Sequence, residues 1–118
     1  GVYPMERMGD FPPAYLKRFC LRGDGPEEGN FLVDAALRDR VSFVNLNLNE
    51  TLPEMGTFDV IFLRNVLIYF DGPTKSQVVD RVLARLRPGG LFFIGTAEGR
   101  VACKTPLESV APGAFRKP

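Results

Sequence analysis

The sequence of 118 residues contains no histidine and two cysteines, Cys20 and Cys103. These cysteines lie far apart and do not have the short spacing that is typical of zinc ligands. Without histidine, a zinc site would have to be built from two thiolates and carboxylates. We therefore predict no metal site and two reduced thiols that serve as small packing residues.

Strong charge and long apolar runs are also missing. The formal net charge is +1, and no stripe of basic residues is interleaved with aromatic side chains, which argues against nucleic-acid binding. No apolar run approaches the roughly 20 residues that span a bilayer. The first residues lack the basic and then apolar pattern of a signal peptide. We therefore expect no membrane insertion and a cytoplasmic protein.

A Gly-x-Gly loop between a strand and a helix, by which many α/β domains hold a nucleotide, is absent too. Nor does an acidic residue follow such a loop at the spacing that holds a ribose. The sequence therefore predicts that half of a nucleotide site lies outside these residues, and that the fragment is inactive by itself.

The first part of the chain predicts a short helix and a small antiparallel sheet. Pro12–Pro13 suits the first turn of a helix that Gly23 would end. The apolar runs Phe31–Val33 and Val41–Val44 indicate two short strands around a charged connection. We interpret residues from about 20 to 44 as a small antiparallel insertion.

The second part predicts a strand, a helix and a strand, the order of a parallel crossover unit in an α/β fold. Phe58–Leu63 is a nearly continuous apolar run, typical of a central strand covered on both faces by helices. Helical spacing of apolar residues continues to Leu86, and Pro88–Gly90 would end that helix. Leu91–Ile94 indicates the second buried strand, and Ala114–Arg116 a final edge strand.

Polar residues follow both predicted parallel strands. In open α/β sheets the ligand site lies beyond the carboxyl ends of the strands, which selects Arg64 and Asn65 after one strand and Gly95–Glu98 after the other. The guanidinium of Arg64 must reach solvent or find an acceptor. That acceptor is either a ligand carboxylate or an acidic side chain of the same domain.

Two more polar residues have both a structural and a functional interpretation. Tyr69 falls in a short run that suits one helical turn, so it is either a packing residue or a group that projects over the cleft. Asn47 carries a carboxamide that suits an adenine edge, although loop asparagines more often cap turns. We interpret Pro88–Gly90 as a structural turn rather than a phosphate loop.

Residues 58–71, with the sequence FDVIFLRNVLIYFD, resemble the signature of the chemotaxis-receptor glutamate O-methyltransferases, the CheR family. Similar stretches extend over almost the whole chain: Gly1–Pro4, Leu21–Gly23, Asn47–Leu48, Leu86–Leu91 and Glu98. The resemblance implies part of a class I methyltransferase sheet, which is Rossmann-like, with a small antiparallel β-subdomain insertion. Residues 1–118 would be the C-terminal part of the catalytic domain, without the N-terminal helical domain and the glycine-loop half.

Members of this family transfer a methyl group from S-adenosylmethionine to glutamate side chains on the cytoplasmic signalling region of membrane chemoreceptors, leaving S-adenosylhomocysteine. The resemblance implies the same activity for the complete protein. Family residues matching Asn47, Leu48, Arg64 and Asn65 line the cofactor pocket, and the tyrosine matching Tyr69 faces the transferred methyl group. A glutamate carboxylate is ionised near pH 7, so the reaction needs no general base.

The resemblance also bears on partners. In some family members the β-subdomain that matches residues 20 to 44 docks a peptide from the receptor tail. The chain departs from the family pattern at Gly95–Glu98, where Gly-His-Ser-Glu is common. Two alternatives are a non-catalytic module that binds a receptor peptide and a methyltransferase for a small acid. We also expect the fragment to self-associate through an unpaired strand edge.

Overall fold

The computed structural model describes residues 1–7, 9, 11–99 and 101–118. The chain divides into two compact units, Gly1–Asn45 and Leu46–Pro118, each with its own sheet. Helices and strands are mixed in both units, which confirms the predicted α/β class. No helix in the described ranges is both long and apolar enough to cross a membrane.

The first unit is built on an antiparallel sheet of three strands in the order β1-β3-β2. Its elements are β1 Val2–Pro4, α1 Pro13–Phe19, β2 Cys20–Arg22, β3 Asn30–Val33 and α2 Ala35–Arg38. The central strand buries Phe31, whose ring stacks on Tyr3 at 5.6 Å between centroids and lies 6.2 Å from the ring of Phe11. Aromatic packing therefore holds this small sheet together.

Two predictions for the first unit were wrong. Helix α1 ends at Phe19 rather than near Gly23, because Cys20 is already extended and begins β2. Val41–Val44 forms no strand, since its apolar side chains are exposed and no neighbouring strand among the described residues pairs with it. Besides β2 and β3, the sheet contains β1, which lies before the range of 20 to 44 that we interpret as the insertion.

The second unit contains a sheet of four strands in the order β4-β5-β7-β6. Its elements are β4 Phe58–Leu63, α3 Gly72–Leu83, β5 Leu86–Ile94, β6 Glu108–Ala111 and β7 Ala114–Arg116. Strands β4 and β5 are parallel, whereas β5, β7 and β6 are antiparallel neighbours. The predicted strand, helix and parallel strand are therefore confirmed.

Helix α3 covers one face of this sheet and holds the two parallel strands in place. Asp71 caps the helix by accepting the Thr74 N–H at 2.8 Å. The buried side chains of α3 are Val78, Val79, Val82 and Leu83. They form one hydrophobic core with Leu63 of β4 and with Phe92 and Ile94 of β5. The carboxyl ends of β4 and β5 are thus fixed by core packing.

The predicted end of this helix was wrong. Helix α3 stops at Leu83, and Leu86 already belongs to β5. Pro88–Gly90 lies within β5, where the pairing register with β4 shifts. Leu86 is 1% exposed. A buried leucine is equally compatible with a helix and with a strand, so its apolar character alone suggested a helix that was too long.

Two edge assignments were also wrong. Within the described residues β4 is an edge strand rather than a central one, and only one of its faces is covered. Leu63 is buried, but Val60 and Phe62 are 42% and 69% exposed. The strand at Ala114–Arg116 is confirmed, yet it pairs on both sides because β6 joins it through the Pro112–Gly113 turn.

Candidate active site at the carboxyl ends of the parallel strands

The carboxyl ends of β4 and β5 bring Arg64, Asn65 and Gly95 into neighbouring positions. Leu63 lies beside Ile94 in the parallel pairing, so the residues that follow leave the sheet side by side. Asn65 has a φ of 60°, and among the described residues it is the one non-glycine residue with a positive φ. Asparagine tolerates this left-handed conformation better than most residues, but at a cost. Such conformations are concentrated at functional sites.

Gly95 is buried between the side chains of Asn65 and Glu98. A Cβ atom on Gly95 would lie 3.3 Å from Oδ1 of Asn65 and 3.5 Å from Oε2 of Glu98. The Gly95 N–H donates to Oε2 of Glu98 at 3.0 Å, and the Glu98 N–H donates to the Gly95 carbonyl at 3.0 Å. Three residues that follow the ends of two neighbouring strands therefore form one compact group.

The second carboxylate oxygen of Glu98, Oε1, is buried and accepts no hydrogen bond from the described part of the chain. Leaving a buried acceptor without a donor is unfavourable. A ligand with an N–H or O–H group would remove that cost. The sequence singled out the segment Gly95–Glu98 by its place after a strand, but it did not indicate that Glu98 folds back onto Gly95.

Arg64 is exposed. Of the two alternatives for its guanidinium, an ion pair inside the domain is not seen: the ion pairs of the described residues join Arg85 to Glu54 and Arg87 to Asp59. The Arg64 side chain is thus accessible to an anionic ligand, and a guanidinium can hold a carboxylate with two hydrogen bonds.

Tyr69 ends a single turn of 3-10 helix, Leu67–Tyr69, that follows the strand. The predicted helical turn is therefore confirmed. Leu67 is 1% exposed and anchors the turn in the core, whereas Tyr69 is 79% exposed. The interpretation of Tyr69 as a core tyrosine is wrong for this structure, and its phenol is open to a ligand from solvent.

Asn47 and Leu48 lie in an irregular segment before β4. Oδ1 of Asn47 accepts the N–H of Asn49 at 3.0 Å, which is the turn-capping role that the sequence had left open. Leu48 packs against the core and lines, with Leu63, a groove of about 330 Å³ beside β4. Its carbonyl accepts a hydrogen bond from Nη1 of Arg81 at 2.9 Å.

The loop after Glu98 is fastened to α3 by Asp80, a residue that the sequence did not single out. The Asp80 carboxylate accepts the backbone N–H groups of Lys104 and Thr105 and the Thr105 hydroxyl, at 3.0 to 3.2 Å. Burial raises the pKa of Asp80, but these hydrogen bonds outweigh it and hold the pKa below its ordinary value.

Cys103 lies in the same loop and is half-buried. Its Sγ donates to the Thr105 carbonyl at 3.2 Å. Burial and the negative charge of Asp80 both raise the pKa of the Cys103 thiol. Since the thiolate is the reactive form, this environment makes Cys103 a poor nucleophile.

The residues that follow β4 and β5 offer four polar groups to a ligand. These are the exposed guanidinium of Arg64, the carboxamide of Asn65, the buried carboxylate oxygen of Glu98 and the exposed phenol of Tyr69. In residues 1–7, 9, 11–99 and 101–118, no three His, Cys, Asp or Glu side chains lie close enough to hold a metal ion. These polar groups suit the binding and orientation of a polar ligand. Orienting the reactants can by itself contribute much of a rate enhancement.

Comparison with known proteins gives one consistent result. Residues 1–111 match the family described as CheR methyltransferase, SAM binding domain. Chemotaxis protein methyltransferase 2 of Pseudomonas aeruginosa is 46% identical over 111 residues, which cover 93% of this chain and 40% of that protein. The chemotaxis protein methyltransferases of Klebsiella aerogenes and Escherichia coli are 44% and 42% identical over 101 residues, or 83% of this chain and 34% and 35% of theirs. The chain thus spans about 40% or less of the length of these relatives.

Proposed function

The chain belongs to the CheR methyltransferase family, and on that premise we propose that its protein transfers a methyl group from S-adenosylmethionine to glutamate side chains of chemoreceptors. The products are a glutamate methyl ester and S-adenosylhomocysteine. The observation that carries this proposal is the joint position of Arg64, Asn65 and Tyr69 at the carboxyl end of a parallel strand. That is where open α/β sheets bind their ligands.

We propose that Asn47, Leu48, Arg64 and Asn65 contribute to the S-adenosylmethionine pocket. The cofactor carries a carboxylate, which the exposed Arg64 guanidinium suits, and several donors, which suit carboxamide oxygens. The parallel pair β4 and β5 joined by α3 supports a Rossmann-like methyltransferase sheet. The left-handed Asn65 supports a ligand contact at that point of the backbone.

Tyr69 is the residue that we assign to the reaction itself. Bound S-adenosylmethionine supplies a methyl group on a cationic sulfur. The Tyr69 hydroxyl donates a hydrogen bond to one oxygen of the substrate carboxylate and so orients it, while other lone pairs stay free to attack the methyl group. No residue of the chain has to remove a proton, because the glutamate carboxylate is already ionised near neutral pH.

The first unit suits a role in receptor contact. Strands β1 and β2 are the two edges of its antiparallel sheet among the described residues. An extended peptide can add to such an edge through backbone hydrogen bonds, and tethering an enzyme near its substrate raises the local substrate concentration. We propose that a receptor-tail peptide docks there, and that the protein acts in the cytoplasm on the receptors' signalling regions.

Labelled methyl transfer by the full-length protein tests the proposed function. Incubation with methyl-labelled S-adenosylmethionine and a chemoreceptor signalling domain should label the receptor, and mild base should release the label because carboxyl esters hydrolyse. Receptor binding without transfer would favour the non-catalytic module instead. Labelling of small carboxylic acids but not of the receptor would favour the small-acid methyltransferase.

A further inference from the structure

Two arginines, one in the last turn of α3 and one just after the helix, hold the irregular segment before β4. Arg81 donates from Nη1 to the Leu48 carbonyl at 2.9 Å. Arg85 donates from Nη2 to the Leu52 carbonyl at 3.3 Å. Arg81 lies in the last turn of α3 and Arg85 lies two residues after its end, and the two guanidinium groups hold successive points of the same segment.

The two anchors act on different parts of the segment. Leu48 follows Asn47 directly, and the Asn47 side chain closes the tight turn that contains both. Asn47–Leu48 belongs to no helix or strand, so no regular backbone ladder fixes the carbonyl that Arg81 holds. The hydrogen bond from Arg81 is partly buried and charge-assisted, which makes it stronger than a neutral one.

The anchor by Arg85 is more redundant. Leu52 is itself 8% exposed, so packing already holds that point of the segment. The ion pair of Arg85 with Glu54 spans 3.4 Å, and the Glu54 side chain is 86% exposed. An exposed pair of this kind contributes little. Loss of Arg85 should therefore leave the Asn47–Leu48 turn almost unchanged.

We infer that Arg81 is a positioning residue for the cofactor: it fixes the Leu48 carbonyl and thereby holds the Asn47–Leu48 turn in the shape that receives S-adenosylmethionine. Arg81 itself does not contact the cofactor. This inference rests on the proposed role of Asn47 and Leu48. A binding turn held in advance loses less conformational freedom when the ligand arrives, so the anchor acts on affinity.

Calorimetric titration of the full-length protein with S-adenosylhomocysteine tests the inference. Arg81→Gln removes the charged anchor and should raise the Kd by about tenfold. Arg81→Lys keeps a cationic donor and should recover most of the affinity. Arg85→Gln, at the neighbouring anchor of the same segment, is the matched control and should change the Kd by less than about twofold. Amide exchange at Asn49 should slow when S-adenosylhomocysteine binds to the parent protein, which probes the turn without any substitution.

The possible failures are distinguishable. A parent protein that does not bind S-adenosylhomocysteine would overturn the proposed function together with this inference. A parent that binds, with Arg81→Gln binding equally well, would overturn only the inference. If Arg85→Gln weakened S-adenosylhomocysteine binding as much as Arg81→Gln, the inference would also be overturned. That result would mean that binding depends on the anchoring of the whole segment and not on the Asn47–Leu48 turn. Should Arg81→Gln fail to fold, unchanged exchange at Asn49 on binding decides against the inference.

Discussion

The carboxamide oxygen of Asn65 lies 3.3 Å from the position that a Cβ atom would take on Gly95. The backbone of Gly95, with φ −65° and ψ 139°, is one that any residue adopts. Glycine is therefore needed here because the Asn65 side chain approaches so closely, and not because of its own conformation. The contact joins the ends of two strands through a side chain that we assign to the cofactor pocket.

Gly95→Ala should weaken cofactor binding with little loss of stability. The added methyl group would push the Asn65 carboxamide by a few tenths of an ångström, so we expect the Kd for S-adenosylhomocysteine to rise by about tenfold, while the free energy of unfolding falls by less than about 1 kcal/mol. Gly72→Ala is the control, because a Cβ there meets nothing within 4 Å; it should leave the Kd unchanged. Calorimetry that shows parental affinity for Gly95→Ala would disprove the effect.

Asn65 allows backbone strain to be separated from ligand contact. Alanine at φ 60° should cost about 1 kcal/mol of unfolding free energy, whereas glycine adopts this conformation freely. If the carboxamide binds the cofactor, Asn65→Ala and Asn65→Gly should both lose affinity, although only the alanine variant loses stability. Urea unfolding and calorimetry together measure this. Parental affinity in Asn65→Gly would mean that the carboxamide is not a ligand group.

Tyr69→Phe should slow methyl transfer more than it weakens cofactor binding. Removing a hydrogen bond to a charged carboxylate typically costs about 1.5–3 kcal/mol, which corresponds to a fall in kcat of about tenfold or more. The Kd for S-adenosylhomocysteine should stay within about twofold. Tyr15→Phe, in α1 of the first unit, serves as the control, and unchanged turnover in Tyr69→Phe would remove Tyr69 from the mechanism.

Asp80 makes the stability of the second unit depend on pH. Its pKa in the folded state lies below the ordinary value of 3.8, so its stabilising effect is complete above that value and is lost as the pH falls through the folded pKa. Asp80→Asn cannot titrate. At pH 7 the free energy of unfolding, measured with urea, should be about 1 kcal/mol larger for the parent than for Asp80→Asn. This difference in stability should shrink as the pH falls below 3.8. A gap that stays constant down to pH 3 would contradict this.

Within the residues that the structure describes, strand β4 has an unpaired edge beside an apolar face. Phe62 on that face stacks on Phe93 with ring centroids 4.9 Å apart and is 69% exposed. We expect the 118-residue chain to self-associate, and Val60→Lys to reduce the association by charging the β4 face. Val110→Lys, on the opposite edge strand and similarly exposed at 47% against 42%, should have less effect. Light scattering that shows a monomer at every concentration would refute this.

The sequence predicted the second unit better than the first. Phe58–Leu63 and Leu91–Ile94 are apolar runs that contribute to the core, so their strands could be predicted from the sequence. Val41–Val44 is also largely apolar, but a strand needs a partner as well, and pairing between distant residues leaves no local signal. Leu86 shows the converse: its burial was correctly anticipated, while its secondary structure depended on pairing with Phe58.

Part of the candidate site could be predicted as well. The rule that ligands bind at the ends of parallel strands selected Arg64, Asn65 and the segment Gly95–Glu98, and the structure brings them together. The left-handed turn at Asn65 and the contact of Glu98 with Gly95 were not readable, because both arise from how two strand ends meet in space. Arg81 was hidden for another reason, since a helical arginine usually points to solvent.

The exposure of Tyr69 has an optical consequence. The chain contains no tryptophan and three tyrosines, so tyrosine dominates its ultraviolet emission. Tyr3 and Tyr15 both pack against other aromatic rings in the first unit, whereas Tyr69 is the most exposed of the three, at 79%. A collisional quencher such as acrylamide should therefore act more strongly on Tyr69 than on Tyr3 or Tyr15, and shielding of Tyr69 from that quencher gives a label-free signal for occupancy at the end of β4.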